Sequence, residues 1–263
     1  MPVNTEDQQR FSLLQKYPLT GRCQGMFAFF SEPEIFLQSL LPQELELAPQ
    51  SYTPPGQHPL LIMFNNTWLT TNANLERIAA SPNFGLNLNY YEFIVMLPYV
   101  QFKESELPND GPYCYLPVLY LNSLAAVLGG RLFWEFNKEM ADFSVQPGDF
   151  TVSKLLSRTK LVSGITTLTG SREPGKSIAN FREITPILHL PVIEHGPYGY
   201  VSSIYKILLD NTDITPAEIE MNNFSSTFLP PGVTNSPPIT ENPLGAFLMD
   251  YDWELSYIKF IKF

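Results

Sequence analysis

Apolar runs rich in Val, Ile, Tyr and Phe recur along the chain, separated by proline and glycine breaks. Leu60 to Phe64, Glu92 to Val100, Tyr113 to Leu121, Ile187 to Ile193, Tyr200 to Leu209 and Gly245 to Phe263 read as strands, because β-branched and aromatic side chains fit a pleated surface. Several are apolar almost throughout, which suits strands covered on both faces. The 24 prolines are densest at Pro54-Pro55-Gly56, Pro230-Pro231-Gly232 and Pro237-Pro238, and they cut the chain into short segments rather than long helices. One helix is signalled where Ser31-Glu32-Pro33-Glu34 offers an N-cap, a first-turn proline and the Glu of a capping box; it carries Phe36 and Leu40 on one face and ends near Leu41-Pro42. A second is expected from Asn122 to Val127, stopped by Gly129-Gly130. Many strands, few helices and no regular alternation predict an α+β fold on a large antiparallel or mixed sheet, curled or closed. No polar linker divides the chain, so residues 1–263 are expected to form one domain.

Composition narrows the function classes. The 263 residues hold 26 acidic and 16 basic side chains, a net charge of -10, which argues against a protein that tracks phosphates on nucleic acid. With 44 % hydrophobic and only 16 % charged residues, the chain has the material for a large core. Two cysteines, Cys23 and Cys114, outside any C-x-x-C pair, speak against a disulfide scaffold or structural zinc. The opening MPVNTEDQQR lacks the charged and apolar regions of a secretory signal, and no apolar run approaches the roughly 18 residues of a spanning helix. A cytoplasmic protein without membrane partners is the expectation, and the Asn-x-Ser/Thr sequons at Asn65 and Asn223 then carry no weight.

Several chemistries lose support. His58, His189 and His195 are scattered without metal-ligand spacing. No G-x-S-x-G, G-x-G-x-x-G or P-loop occurs, and Ser157-Arg158-Thr159-Lys160 matches S-x-x-K without its companion motifs, so a solvated segment is expected there. Tyr90-Tyr91 and the Tyr113, Tyr115 pair are read as core aromatics in preference to platforms for a base or sugar.

The run Gly129-Gly130-Arg131-Leu132-Phe133-Trp134-Glu135-Phe136-Asn137-Lys138-Glu139-Met140 places one lysine in an aromatic neighbourhood after a glycine turn. It resembles the acetoacetate decarboxylase superfamily, which reads roughly G-R-E-x-x-x-[FY]-P-K-K-L here; Gly130, Arg131, Phe136, Lys138 and Met140 fall on that pattern. Further landmarks agree in order: Glu32-Pro33-Glu34, Leu61-Ile62-Met63, Tyr90-Tyr91-Glu92 and Leu190-Pro191-Val192. The resemblance implies an α+β fold with a large curled or closed, mostly antiparallel sheet, a cone or barrel, and a few short helices. It also implies Schiff-base chemistry, in which Lys138 attacks a ketone and the iminium acts as an electron sink for decarboxylation, aldol or dehydration steps. Such a lysine must lose its proton, yet an unperturbed amine of pKa about 10.4 is neutral in less than about one part in a thousand at pH 7. Desolvation or a neighbouring cation corrects this, and the enzyme that names the superfamily is a standing example of such activation. Here Phe133, Trp134 and Phe136 supply apolar surroundings, while Glu139 stands where the family has a second lysine.

By the same resemblance, Glu92 is the candidate acid/base or orienting group. Arg131 either binds a substrate carboxylate or braces the lysine turn. Arg22, Tyr91, Trp134 and Phe136 are candidate substrate contacts. Leu61 occupies the place of a second carboxylate, and Leu132 and Asn137 replace the usual Glu and Pro, which points to a divergent lyase acting on a larger keto acid or polyketide-like ketone. No metal or organic cofactor is required, and a homo-oligomer is expected. The alternatives are a pocket protein or cyclase of the same fold that shapes an apolar metabolite without an iminium, and a structural or interaction protein with no small-molecule site; taken alone, Lys138 also reads as a surface lysine paired with Glu135 or Glu139.

Overall fold

The computed structural model describes residues 19–70, 89–103, 111–133, 136–196, 199–222, 244–256 and 258–261. It opens with a long strand, β1 (Leu19–Pro33), followed by α1 (Glu34–Gln38), β2 (Leu45–Leu47), β3 (Gln57–Thr70), β4 (Asn89–Phe102) and β5 (Tyr113–Leu121). Helix α2 (Leu124–Phe133) leads to the meander β6 (Glu139–Gln146), β7 (Asp149–Lys154) and β8 (Lys160–Leu168). Then come β9 (Glu173–Pro174), α3 (Ala179–Ile184), β10 (Val192–Gly196), β11 (Gly199–Ser203), β12 (Tyr205–Asn222), β13 (Gly245–Leu255) and β14 (Lys259–Ile261).

Nine strands close on themselves in the order β5, β6, β7, β8, β12, β13, β1, β3, β4 and back to β5. The pairs within this barrel are antiparallel except β5–β6, which are parallel and joined across α2. Strand β10 pairs parallel with β5 outside the ring and carries β11 and β14 beyond it. Closure removes edges along the ring, and alternation along each strand feeds two apolar layers. On β1, Met26, Ala28 and Phe30 enter one layer, while Cys23, Phe27 and Phe29 enter the other. The α+β expectation of a closed, mostly antiparallel sheet with few short helices is the architecture found.

Local departures have local causes. The expected N-cap at Ser31 is strand, because Ser31, Glu32 and Pro33 pair with Pro59, His58 and Gln57; the helix starts after Pro33 with no side-chain cap. The second helix runs through Gly129-Gly130 instead of stopping there. The run Ile187 to Ile193 is largely a 3-10 turn (Thr185–His189), with strand only from Val192. Ser157 to Lys160 is exposed, as expected. Cys23 and Cys114 are buried and unpaired. Among the described residues no helix is long and apolar enough to cross a membrane.

Candidate active site

Strands β3 and β4 pair so that Asn65 faces Glu92 and Thr67 faces Tyr90. The two-residue period then gathers Asn65, Thr67, Tyr90 and Glu92 on the face of the second apolar layer. Glu92 is only 7 % exposed; it accepts a hydrogen bond from Thr67 Oγ1 at 2.7 Å and a longer one from Asn65 Nδ2 at 3.4 Å. Asn65 has room because Gly25 lies directly across from it on β1, where a Cβ would collide with the Asn65 side chain.

Lys138 reaches the same space from the end of α2. Its segment is a tightly tied turn. Phe136 N donates to Gly130 O at 3.2 Å, Lys138 N to Phe136 O at 2.8 Å, Arg131 Nε to Lys138 O at 2.7 Å, and Asn137 N to Glu194 Oε1. The lysine stem lies on Gly130, where a Cβ would come within 2.5 Å of Lys138 Cε and 3.1 Å of Nζ. Phe136 is buried with its ring 6.0 Å from the Lys138 amine.

The electrostatics follow from burial against mutual attraction. Residue 138 is only half-buried overall, yet its amine lies deep among protein atoms. That burial lowers its pKa, and the Glu92 and Glu194 carboxyls oppose the shift. Burial pushes Glu92 up, against Lys138, Thr67 and Asn65. Glu194, 2 % exposed, is pushed up to about 8 by burial, against the Asn137 N–H and Lys138. Desolvation thus favours the neutral form of the amine and of both acids, the state a nucleophilic amine needs. Glu139 is exposed, is adjacent to Tyr120, and has no part in the Lys138 balance. A hollow of about 440 Å³ lies close by, bordered by Tyr115, Asn137, Glu194, His195 and Glu44.

A polar wall continues away from Glu92. Cys23 Sγ is 3.1 Å from Thr67 Oγ1, and the Tyr205 and Tyr251 hydroxyls are 3.2 Å apart. Burial pushes the Cys23 thiol up to about 12, so it stays protonated and is a poor nucleophile. Tyr90, Tyr205 and Tyr251 are likewise pushed up and remain hydrogen-bond donors.

The structure brings Lys138, Glu92, Phe136 and Arg131 together, with Arg131 in the bracing role. It does not bring in Tyr91 or Arg22. Tyr91 points to the opposite face of β4, stacked at 5.9 Å on Phe64 and 6.3 Å from Phe143, because it alternates with Glu92. Arg22 lies on the face of β1 opposite Cys23, exposed and ion-paired with Asp250 at 2.7 Å. Trp134 lies outside the described residues. Sequence reasoning missed Glu194 and the Asn65, Thr67 pair. The available signals were a lone acid in the apolar run Val192-Ile193-Glu194, and a sequon whose two polar residues sit two apart inside a strand.

Comparison with known proteins gives one consistent answer. The sequence model of the family described as acetoacetate decarboxylase matches residues 1–260. By sequence, no curated protein matches the chain. Among solved structures, the enduracididine biosynthesis enzyme MppR, complexed with the condensation product of pyruvate and imidazole 4-carboxaldehyde, superposes with a TM-score of 0.58 at 12 % identity, covering 92 % of this chain and 88 % of that one. Acetoacetate decarboxylase from Legionella pneumophila gives 0.54 at 15 % identity, over 94 % and 87 %. An acetoacetate decarboxylase-like enzyme from Sphingomonas wittichii RW1 gives 0.55 at 10 % identity, over 95 % of both chains.

Proposed function

Because the chain belongs to the acetoacetate decarboxylase family, we propose that it is a Schiff-base-forming enzyme in which Lys138 attacks the ketone of a keto acid or polyketide-like substrate. The observation that carries this reading is the buried Lys138 amine, laid on Gly130 and within electrostatic reach of two buried carboxyls. Neutral Lys138 adds its lone pair to the ketone carbon, and loss of water gives the iminium. The iminium nitrogen then accepts the electron pair released when an adjacent carbon–carbon bond breaks, or when an α-proton leaves. Glu92 is fixed by Thr67 and Asn65 where it takes up and returns that proton. Arg131 holds the lysine turn through the Lys138 carbonyl. The product in MppR, formed from pyruvate and an aldehyde, supports a scope that includes carbon–carbon bond formation as well as cleavage.

Reductive trapping tests the proposal. Pyruvate or acetoacetate followed by borohydride is expected to leave a mass adduct on Lys138, abolished in Lys138→Ala. Failure to label residue 138 with a panel of keto acids overturns the covalent reading in favour of a non-covalent pocket protein or cyclase of the same fold.

A further inference from the structure

Glu194 stands apart from every residue the sequence analysis singled out. It comes from β10, which lies outside the nine-strand ring, and alternation with Ile193 turns it, like Val192, toward the layer that holds Phe136. Its Oε1 accepts the backbone N–H of Asn137, the residue next to Lys138, so the carboxyl is pinned to the lysine turn itself. Its Oε2 is buried and has no hydrogen-bond partner among the described residues. A buried carboxyl oxygen left this way costs free energy unless a ligand or reaction intermediate completes it. Glu194 also borders the 440 Å³ hollow, many times the roughly 30 Å³ that one water occupies. Lys138 is thus within electrostatic reach of this carboxyl, and the hollow borders the same residue.

We propose that Glu194 is a catalytic acid and base of the Schiff-base cycle, working on the water that iminium formation releases and hydrolysis consumes. The inference rests on the Schiff-base reading above. In the forward direction Glu194 gives its proton to the carbinolamine hydroxyl; the carbon–oxygen bond breaks, the Lys138 nitrogen lone pair forms the iminium double bond, and water departs into the hollow. In the return direction the Glu194 carboxylate takes a proton from water as its oxygen bonds to the iminium carbon. The nitrogen pair is restored, and the carboxyl is again protonated. Glu92, held by side-chain donors on the neighbouring strand β3, is left for proton transfer at carbon.

The groups facing Glu194 are consistent with this role. Lys138 and the Asn137 N–H favour its ionised form, and Tyr115 on β5 lies within its electrostatic reach. Glu44 and His195 stand at the hollow, with Glu44 engaged by Tyr200 at 3.2 Å and His195 packed edge-on against the Tyr200 ring at 4.9 Å. Burial wins, so the carboxyl holds a proton near neutral pH, as an acid catalyst must.

The test is the rate of adduct formation with pyruvate under excess cyanoborohydride, in the full-length wild type and in Glu194→Gln, at pH values either side of 8. Glutamine keeps the acceptor for Asn137 but donates no acid proton. The expected result is a slowing of about a hundredfold or more, loss of the limb that falls above pH 8 in the wild type, and adduct that still reaches full occupancy. In Glu194→Ala, acetate is expected to restore the rate through the hollow. Formation at the wild-type rate, a limb that stays in place, or indifference to acetate overturns the proposal while leaving Lys138 as nucleophile. A wild type that never labels overturns the Schiff-base reading itself, and the two failures are distinct.

Discussion

Two neighbouring glycines in α2 offer a separation of stability from chemistry. Gly129 and Gly130 both lie inside Leu124–Phe133, where glycine costs about 0.8–1.0 kcal/mol relative to alanine. A Cβ on Gly129 meets nothing within 4 Å, whereas one on Gly130 comes within 2.5 Å of Lys138 Cε. Gly129→Ala should therefore raise the melting temperature by about 2–4 °C and leave adduct formation unchanged. In Gly130→Ala the flexible lysine stem must retreat about 1 Å to reach ordinary van der Waals contact, and a displacement of that size at a reacting atom costs on the order of a hundredfold in rate. The helix gain remains, so this variant should melt no lower than wild type while labelling with pyruvate and borohydride about a hundredfold more slowly. The measurements are thermal melting and time-resolved intact mass. Gly130→Ala labelling as fast as wild type would refute the placement of the lysine on Gly130, and equal slowing in Gly129→Ala would show that the helix, not the contact, matters.

Two further outcomes follow from the carboxyls. Thr67→Val keeps shape but removes the 2.7 Å donor to Glu92; it should cost about 1–3 kcal/mol in denaturant unfolding. The Thr67 bond holds the Glu92 pKa down, so its loss should move the Glu92-dependent limb of the labelling profile to higher pH; an unmoved limb would separate Glu92 from the reaction. Glu194 has a folded pKa of about 8, above its ordinary carboxylate value. Its contribution to stability is therefore complete below pH of about 4.5 and is lost as pH rises toward 8. Relative to Glu194→Gln, the wild type should lose on the order of a few kcal/mol across that window, read by chemical unfolding at stepped pH; parallel curves would contradict it.

The sequence revealed some of this by pattern and lost the rest to tertiary choices. Tyr113–Leu121 is a strand with the bounds its composition predicts, and the segments around Leu60 and Glu92 are cores of longer strands. The first strand, Leu19–Pro33, is hidden because Gly21 and Gly25 weaken its propensity, and these two glycines leave room for Trp253 and Asn65. The β6–β8 meander alternates too weakly to stand out from solvated chain. Lys138 and Glu92 were legible through the family resemblance. The resemblance also points to Tyr91, but Tyr91 neighbours Glu92 on one strand and therefore faces the opposite way. Leu61, at the place of the family's second carboxylate, is buried core, while the buried carboxyl of Glu194 lies near Lys138 from a strand 133 positions later, where the parallel β5–β10 pairing puts it.

The buried sequon carries a practical message for anyone producing the protein. Asn65 is fully buried, and its Nδ2, the atom a glycan would occupy, is the one that reaches Glu92. Oligosaccharide transferred to that nitrogen during passage through a eukaryotic secretory pathway would be attached before the barrel closes, and no closed barrel has room for it. Expression hosts that do not glycosylate follow directly from where the strand register puts one amide.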